Sequence, residues 1–306
     1  MGPFELMDLV GVDVGLAVST SFYEQSFGEP RWRPSMITVR TVAAGRFGRK
    51  SGRGYYDYAN GTNAYRDPDP EPLAPGGGDG RVIVIAGDSP LAAELADAAT
   101  DAGWEVASPD EAANEEPPFL ILDLSLGHEV PEAPLQGGPQ AICCAAGSLA
   151  ALDPGGGAVG FHALPPLEAT GLIELTRGSD TSQAAIDATE HFFATLGKRV
   201  VWVGDAPGLV LGRIVCQIIN ESAFALGEGV GSAEDIDTGM VHGMNHPRGP
   251  LGWADLIGLD HVLSVLDALY DEYREERYRT APPLRRLGLS GRLGVQTGEG
   301  FFSYSE

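Results

Sequence analysis

The chain has 306 residues, 43% hydrophobic and 21% charged, the composition of a soluble globular protein with room for two or more domains. Asp and Glu number 43 against 20 Lys and Arg, and the formal charge of −23 argues against nucleic acid or an anionic membrane as partner. With no run of about 18 apolar residues and no basic-plus-apolar stretch at the start, no membrane span is expected and the cytoplasm is the default location.

Residues 1–58 contain four short motifs that return near the end of the chain. Gly2-Pro3 matches Gly249-Pro250, and the run Asp8 to Asp13 matches Asp255 to Asp260. Gly45-Arg46-Phe47-Gly48 matches Gly291-Arg292-Leu293-Gly294, and Gly52-x-Gly54-Tyr55-Tyr56 matches Gly298-x-Gly300-Phe301-Phe302. Ordered matches of this kind point to duplication. The first copy lacks the part equivalent to Asp205–Arg248, so a helical half-unit is expected to keep an unpartnered apolar face. That face is expected to pack on the complete copy or across a dimer. Alternatively, residues 1–58 are the remnant of a longer chain. Residues 59–80, rich in Pro, Gly, Asp and Asn, read as a flexible linker.

From Arg81 the pattern is strand (Val82 to Ala86), helix (Leu91 to Ala102), strand (Trp104 to Ala107), the opening of a doubly wound parallel sheet. Gly87-Asp88-Ser89-Pro90-Leu91-Ala92 stands where a dinucleotide glycine loop belongs. Gly87 keeps the first glycine, Ser89 replaces the second, and Ala92 is a tolerable third. Ser89 crowds the closest approach to a pyrophosphate, Asp88 sets a negative charge beside it, and both suit helix capping. Asp110 follows the second strand, where a carboxylate can hold an adenine ribose; Ser108-Pro109-Asp110-Glu111 also reads as a helix start.

Further strands are expected at Phe119 to Asp123, Pro139 to Cys144, Val159 to Phe161 and Leu172 to Leu175. A helix from Ser182 to Leu196, capped by Ser179-Asp180-Thr181, faces the sheet with Ala185, Ala188, Phe192 and Leu196. A strand over Arg199–Val203 follows. His162 ends one apolar run and Glu174 lies inside the next. On neighbouring strands the carboxylate can bond the imidazole, fix its tautomer and raise its pKa, the minimal unit for moving a proton at neutral pH. On spacing alone, though, a structural His–Glu pair is the favoured reading.

Residues 205–306 read as helical. Pro207 is placed at a helix start, with Val210, Ile214, Ile218, Phe224 and Leu226 as its buried face. Ser232-x-x-Asp235 resembles a capping box, and helices are expected to Met240, over Leu251–Ile257 and from Asp260 to Arg274. Cys143, Cys144 and Cys216 lack ligand spacing and read as buried thiols. His242, His246 and His261 share no metal spacing and read as local.

The order of these motifs resembles the NAD-dependent 3-hydroxyacyl-CoA dehydrogenase family over nearly the whole chain outside the linker. The carriers are His162 and Glu174, Asp205-Ala206-Pro207-Gly208, Asn220-Glu221, Glu234 to Asp237, Pro247-x-Gly249-Pro250, Asp255 to Asp260 and Gly291 to Phe302. The resemblance implies a shortened Rossmann-like α/β domain (81–204) joined to an all-α domain like the C-terminal domain of 6-phosphogluconate dehydrogenase (205–306). A partial copy of the latter (1–58) precedes them. It implies NAD as cofactor, with Gly87, Ser89, Ala92 and Asp110 at its site, and oxidation of (S)-3-hydroxyacyl-CoA to 3-oxoacyl-CoA in fatty-acid or related degradation. His162 becomes the base, Glu174 its orienter and Ser148 the nearest match to a substrate-binding serine. An acyl-CoA substrate and a homodimer through the helical domain are the implied partners.

Three further positions depart from the family. Pro165 replaces an Asn three residues after the His, Gly212 replaces the Asn of an Asn-Arg pair, and Gly147 stands where Ser is expected. Losing one donor to a substrate oxygen costs about 10²–10³ in rate, so activity of this chain alone is expected to be impaired. The alternative is a catalytically inactive repeat that serves as the dimerisation module of a larger dehydrogenase.

Overall fold

A computed structural model describes residues 2–59, 74–112, 116–126 and 137–304. The chain forms two units, Met1–Glu71 with Glu275–Arg277, and Pro72–Arg274 with Tyr278–Glu306. The part of the expected linker at 60–73 lies outside the described residues. Its end is not a free linker: Gly76, Gly78 and Gly80 donate their amides to Thr195, Ala102 and Gly103 carbonyls of the second unit.

In the first unit, α1 (Pro3–Val10) and α2 (Val12–Gln25) meet at Gly11, whose φ of +111° suits glycine, and α3 (Met36–Ala43) follows. Asp8 organises it. Its carboxylate accepts the amides of Tyr55 and Tyr56 at 2.9 Å and the Tyr58 hydroxyl at 3.0 Å. Gly48 lies so close that a Cβ there would sit 2.2 Å from the Asp8 carbonyl oxygen. No single helix among the described residues is long and apolar enough to cross a membrane, and α1 and α2 are bent by 94°.

The second unit opens with β1 (Val82–Ala86), α4 (Pro90–Asp101), β2 (Glu105–Ala107) and the short α5 (Pro109–Ala112). It continues with β3 (Leu120–Asp123), β4 (Gln140–Cys143), α6 (Leu149–Leu152), β5 (Val159–His162), β6 (Leu172–Arg177), α7 (Gln183–Thr195) and β7 (Arg199–Trp202). The seven strands form one sheet in the order β2-β1-β3-β4-β5-β6-β7, parallel except where β5 meets β6. This is the expected Rossmann-like sheet. Leu91, Leu95 and Ala99 of α4 and Ala185, Ala188 and Phe192 of α7 are buried in its core. The α7 cap is Ser182, whose hydroxyl accepts the Ala185 amide, rather than the 179–181 stretch expected. Thr181 is otherwise engaged, donating to the Ala158 carbonyl.

The remaining chain is helical: α8 (Leu211–Gly227), α9 (Ala233–Met244), α10 (Pro250–Ile257), α11 (Leu259–Tyr273) and α12 (Pro282–Leu289). Two expectations are corrected. Helix α8 begins at Leu211, not Pro207, because Gly208 and Leu209 take positive φ and turn the chain first. Its buried stripe is Val215, Cys216, Ile219 and Ala223 together with Phe224, which was expected, while Val210 and Ile214 are exposed. The helix is apolar on more than one side, so periodicity offered two faces; packing on α10, α11 and α12 selects one. The Ser232–Asp235 capping box forms as expected, and the three cysteines are free and buried.

Polar side chains fix the bundle. Asn220 on α8, fully buried, donates to the Arg279 carbonyl and accepts the Ala281 amide, tying down the approach to α12. Asp237 on α9 accepts the amides of Leu251 and Gly252 at 2.8 Å, capping α10. Asp255 accepts the amides of Phe301 and Phe302 at 2.9 Å and the Tyr304 hydroxyl at 3.0 Å, the same three bonds Asp8 makes. Gly294 approaches the Asp255 carbonyl oxygen as Gly48 approaches that of Asp8, with a Cβ distance of 2.2 Å.

Candidate active site

Strand pairing sets His162 directly opposite Glu174, with both side chains buried. The expected hydrogen bond between them is not formed. Glu174 Oε2 instead accepts the amides of Val210 and Leu211, at 2.9 and 2.8 Å, where α8 has unsatisfied donors. The His162 Nε2 lies 3.0 Å from Nε2 of His261 on α11, with the rings edge to face. His261, expected to be local, is the partner of the candidate base. The signal for it was absent from spacing, since 99 residues separate the two.

Electrostatics follow the pairing. Burial, and next the proximity of His261, hold the His162 pKa well below the usual histidine value, the opposite of the expected rise. Burial lowers His261 to about 4. Both rings are therefore neutral at pH 7, one donating and one accepting across the 3.0 Å contact. The His162 Nδ1 is buried without a hydrogen-bond partner. Burial raises the Glu174 pKa, against the pull of the Leu211 and Val210 amides.

Gly212 explains the closure. A Cβ there would sit 2.2 Å from the Cε1 of His162, so an Asn at 212 and the imidazole in this position exclude one another. The start of α8 lies directly on the ring. At Gly147 a Cβ would meet Leu152 at 3.2 Å, a neighbour that must give way for any larger residue. Ser148 is the residue before α6, but its hydroxyl caps nothing; Asp205 caps that helix, accepting the amides of Leu149 and Ala150 at 2.7 and 3.0 Å. Asp205 lies just ahead of α8 in the sequence, yet its carboxylate serves α6. The Pro165 carbonyl accepts the Trp253 indole N–H at 2.7 Å, which ties α10 to the loop after His162.

At the glycine loop, Gly87 has φ +113° and a Cβ there would lie 2.6 Å from the Leu124 carbonyl oxygen, so glycine is required by the neighbouring strand. The Ser89 hydroxyl is the α4 cap, accepting the Ala92 amide at 3.2 Å, and Ser89 is buried. Pro90 offers no N–H and lies 3.6 Å from where a Cβ on Gly258 would be, under the α10–α11 turn. Asp110 is exposed in the first turn of α5, past the end of β2, and suits ribose hydroxyls; Glu111 takes the capping role, accepting from the Ser108 amide and hydroxyl. The ribose end thus fits a dinucleotide, and the pyrophosphate end does not fit one in this conformation.

A cavity of about 390 Å³ opens beside Ala146 and Leu126, walled on α11 by Asp260, Asp267 and Asp271. Among the described lining residues the one cation is Arg285, which Asp267 engages. Such a lining repels phosphate-rich ligands.

Comparison with known proteins joins these parts. The model of the 3-hydroxyacyl-CoA dehydrogenase C-terminal domain matches residues 1–58 and 208–304, and that of the NAD binding domain of the same family matches 149–206. The chain is 40% identical over 146 residues to 3-hydroxybutyryl-CoA dehydrogenase of Bradyrhizobium diazoefficiens, covering 48% of this chain and 50% of that one. It is 29% identical over 290 residues to 3-hydroxyadipyl-CoA dehydrogenase of Escherichia coli, covering 94% and 51%. The crystal structure of 3-hydroxybutyryl-CoA dehydrogenase from Escherichia coli K12 superposes with a TM-score of 0.66 at 28% identity, over 95% of this chain and 52% of that one. The chain spans about half the length of these curated relatives. A strand that ends in His162 opposite Glu174, a helical bundle seated on the sheet, and matches to both domain models lead to one assignment: the chain belongs to the 3-hydroxyacyl-CoA dehydrogenase family.

Proposed function

We propose that the protein acts in NAD-dependent oxidation of (S)-3-hydroxyacyl-CoA to 3-oxoacyl-CoA, with weak turnover by this chain alone. The observation that carries the reading is the orphaned Nδ1 of His162 on a residue directly opposite Glu174. A turn of the carboxylate toward that nitrogen completes a dyad, and a shift of α11 frees Nε2 to take the substrate hydroxyl proton. NAD, when bound, supplies the hydride acceptor. Asp110 would hold its ribose, and the loop from Gly87 to Ala92 would hold its pyrophosphate once the Ser89 cap on α4 is released. Ser148, next to the position that matches the family's serine, would be the hydroxyl offered to the substrate oxygen. The helical domain pairs two copies as a homodimer, a reading supported by exposed Val210 and Ile214 on α8. Residues 1–58 are a partial copy of that domain, which the matched bonds of Asp8 and Asp255 support.

A specific observation favours a second reading, an inactive repeat serving a larger dehydrogenase: Gly212 and His261 seal the imidazole while Ser89 closes the phosphate loop. Titration with NADH by fluorescence and loss of NADH absorbance with acetoacetyl-CoA separate the two. Saturable NADH binding with turnover below about 1 per second supports the first reading, the usual enzyme range being on the order of 1–10³ per second. Absence of any NADH affinity defeats it and leaves the second.

A further inference from the structure

In the second unit, β1, β3, β4 and β5 run parallel, so their carboxyl ends share one edge of the sheet. β1 has β2 on one side and β3 on the other, which makes the crevice beyond β1 and β3 the point where the strand order reverses. In sheets of this kind a ligand lies outside the carboxyl ends at that reversal. Here the first residues of α11 reach across the same edge. Gly258 backs onto Pro90, just past the end of β1, a Cβ position there being 3.6 Å from the proline ring. Asp260 walls the cavity that Leu126 and Ala146 also line, beyond β3 and β4. His261 meets His162, the last residue of β5, at 3.0 Å.

We propose that residues 258–261 are an intramolecular plug that closes this edge of the sheet, latched by the His162–His261 bond and released as one piece. The inference rests on the dinucleotide reading of residues 87–92 for what the plug keeps out, and not for the plug itself. Three observations carry it. Gly258 ends α10 and begins α11, its φ of +95° making the corner, and His261 lies one helical turn further on, so a shift of the histidine carries the glycine with it. The latch is enclosed, His162 being 0% and His261 1% exposed, so water does not compete for the bond. The Asp260 carboxylate has the charge sign of a pyrophosphate, so the closed turn and that group repel one another at this edge. A site that exists only while the turn is released binds with an affinity reduced by the released fraction.

Amide hydrogen exchange of the ligand-free chain, read by mass spectrometry, and fluorescence titration with NADH test this together. His261→Leu keeps an apolar side chain in the core and leaves Nε2 of His162 without a partner, which favours release. Exchange within residues 87–92, which His261 does not touch in the closed form, should rise at least tenfold, and NADH should bind at least tenfold more tightly than to the wild type. His261→Gln, whose side-chain amide can replace the lost bond, should stay close to the wild type in both. Leu266→Ala removes buried volume from the same helix without touching either contact, and should leave exchange within 87–92 unchanged. Unchanged exchange there in His261→Leu overturns the proposal, as does an equal rise in Leu266→Ala or in His261→Gln. Wild-type NADH affinity equal to that of His261→Leu also overturns it, while supporting the dehydrogenase reading. Faster exchange in His261→Leu with no NADH affinity in any variant does the reverse: the plug stands and the dehydrogenase reading fails.

Discussion

The imidazoles of His162 and His261 share one hydrogen bond, Nε2 to Nε2 at 3.0 Å, inside the core between sheet and helices. Protonating either ring places an uncompensated charge in that core, and protonating both sets two like charges in contact. A catalytic imidazole needs an open lone pair toward substrate. Here the lone pair or proton is spent on another ring.

This pair makes the fold sensitive to acid. Burial depresses His261 to about 4 in the folded state, against 6.5 when unfolded, so the unfolded chain binds more protons between those values. Its contribution is fully present above the unfolded value and is lost as pH falls toward 4. The loss from pH 7 to pH 4 is about 3 kcal/mol for this one ring. Glu174 acts in the opposite sense, because a raised folded pKa favours the protonated folded state as pH falls. Urea unfolding at intervals from pH 7.5 to 4.5 should therefore show a steeper loss in the wild type than in His261→Phe. Equal slopes would mean that the pair is open in solution.

Restoring the family residue at 212 should force the issue. A Cβ at that position lies 2.2 Å from the His162 ring, so Gly212→Ala already overpacks the site and is expected to cost about 1–3 kcal/mol. Gly212→Asn should cost at least as much, relieved only where the imidazole is displaced. Thermal unfolding together with diethyl pyrocarbonate reactivity of His162 checks this. Lower stability with a newly reactive histidine is the expected result; unchanged stability and no reactivity would show that the helix start does not press on the ring.

How much of this was legible depended on range. The sheet could be read because Val82–Ala86, Leu120–Asp123 and Leu172–Arg177 are short apolar strands between turn signals. Even the opposition of His162 and Glu174 followed from two adjacent strands. What sequence could not supply was the choice among competing partners. Glu174 faced either an imidazole or two bare helix amides, and only the packed position of α8 decided it. His261 carries no local sign of its role, and Val210 and Ile214 were as apolar as the residues buried in their place. The altered Ser89 was readable as a cap, because Ser before Pro at a helix start has a direct local chemistry.

Glu174→Gln provides a measure of the carboxylate's present work. The change removes a charged acceptor from two amide bonds at the start of α8 and should destabilise the protein by about 1–2 kcal/mol. Because no bond reaches His162, its imidazole resonances should keep their pH dependence in NMR. A large shift in the His162 titration would instead place the two side chains in contact in solution.

Asp8 and Asp255 make the same three bonds in separate units, so their Asn variants should have separate consequences. An Asn turns either an amide donor toward backbone N–H groups or leaves one of them unsatisfied, at a cost of about 1–3 kcal/mol. In Asp255→Asn this should lower the midpoint of the main unfolding transition, since Phe301, Phe302 and Tyr304 are anchored there to the bundle that carries His261. In Asp8→Asn the same loss should appear as faster amide exchange and proteolysis within residues 1–58, with the main transition unmoved. A shift of the main transition by Asp8→Asn as large as that by Asp255→Asn would mean that the two units unfold as one.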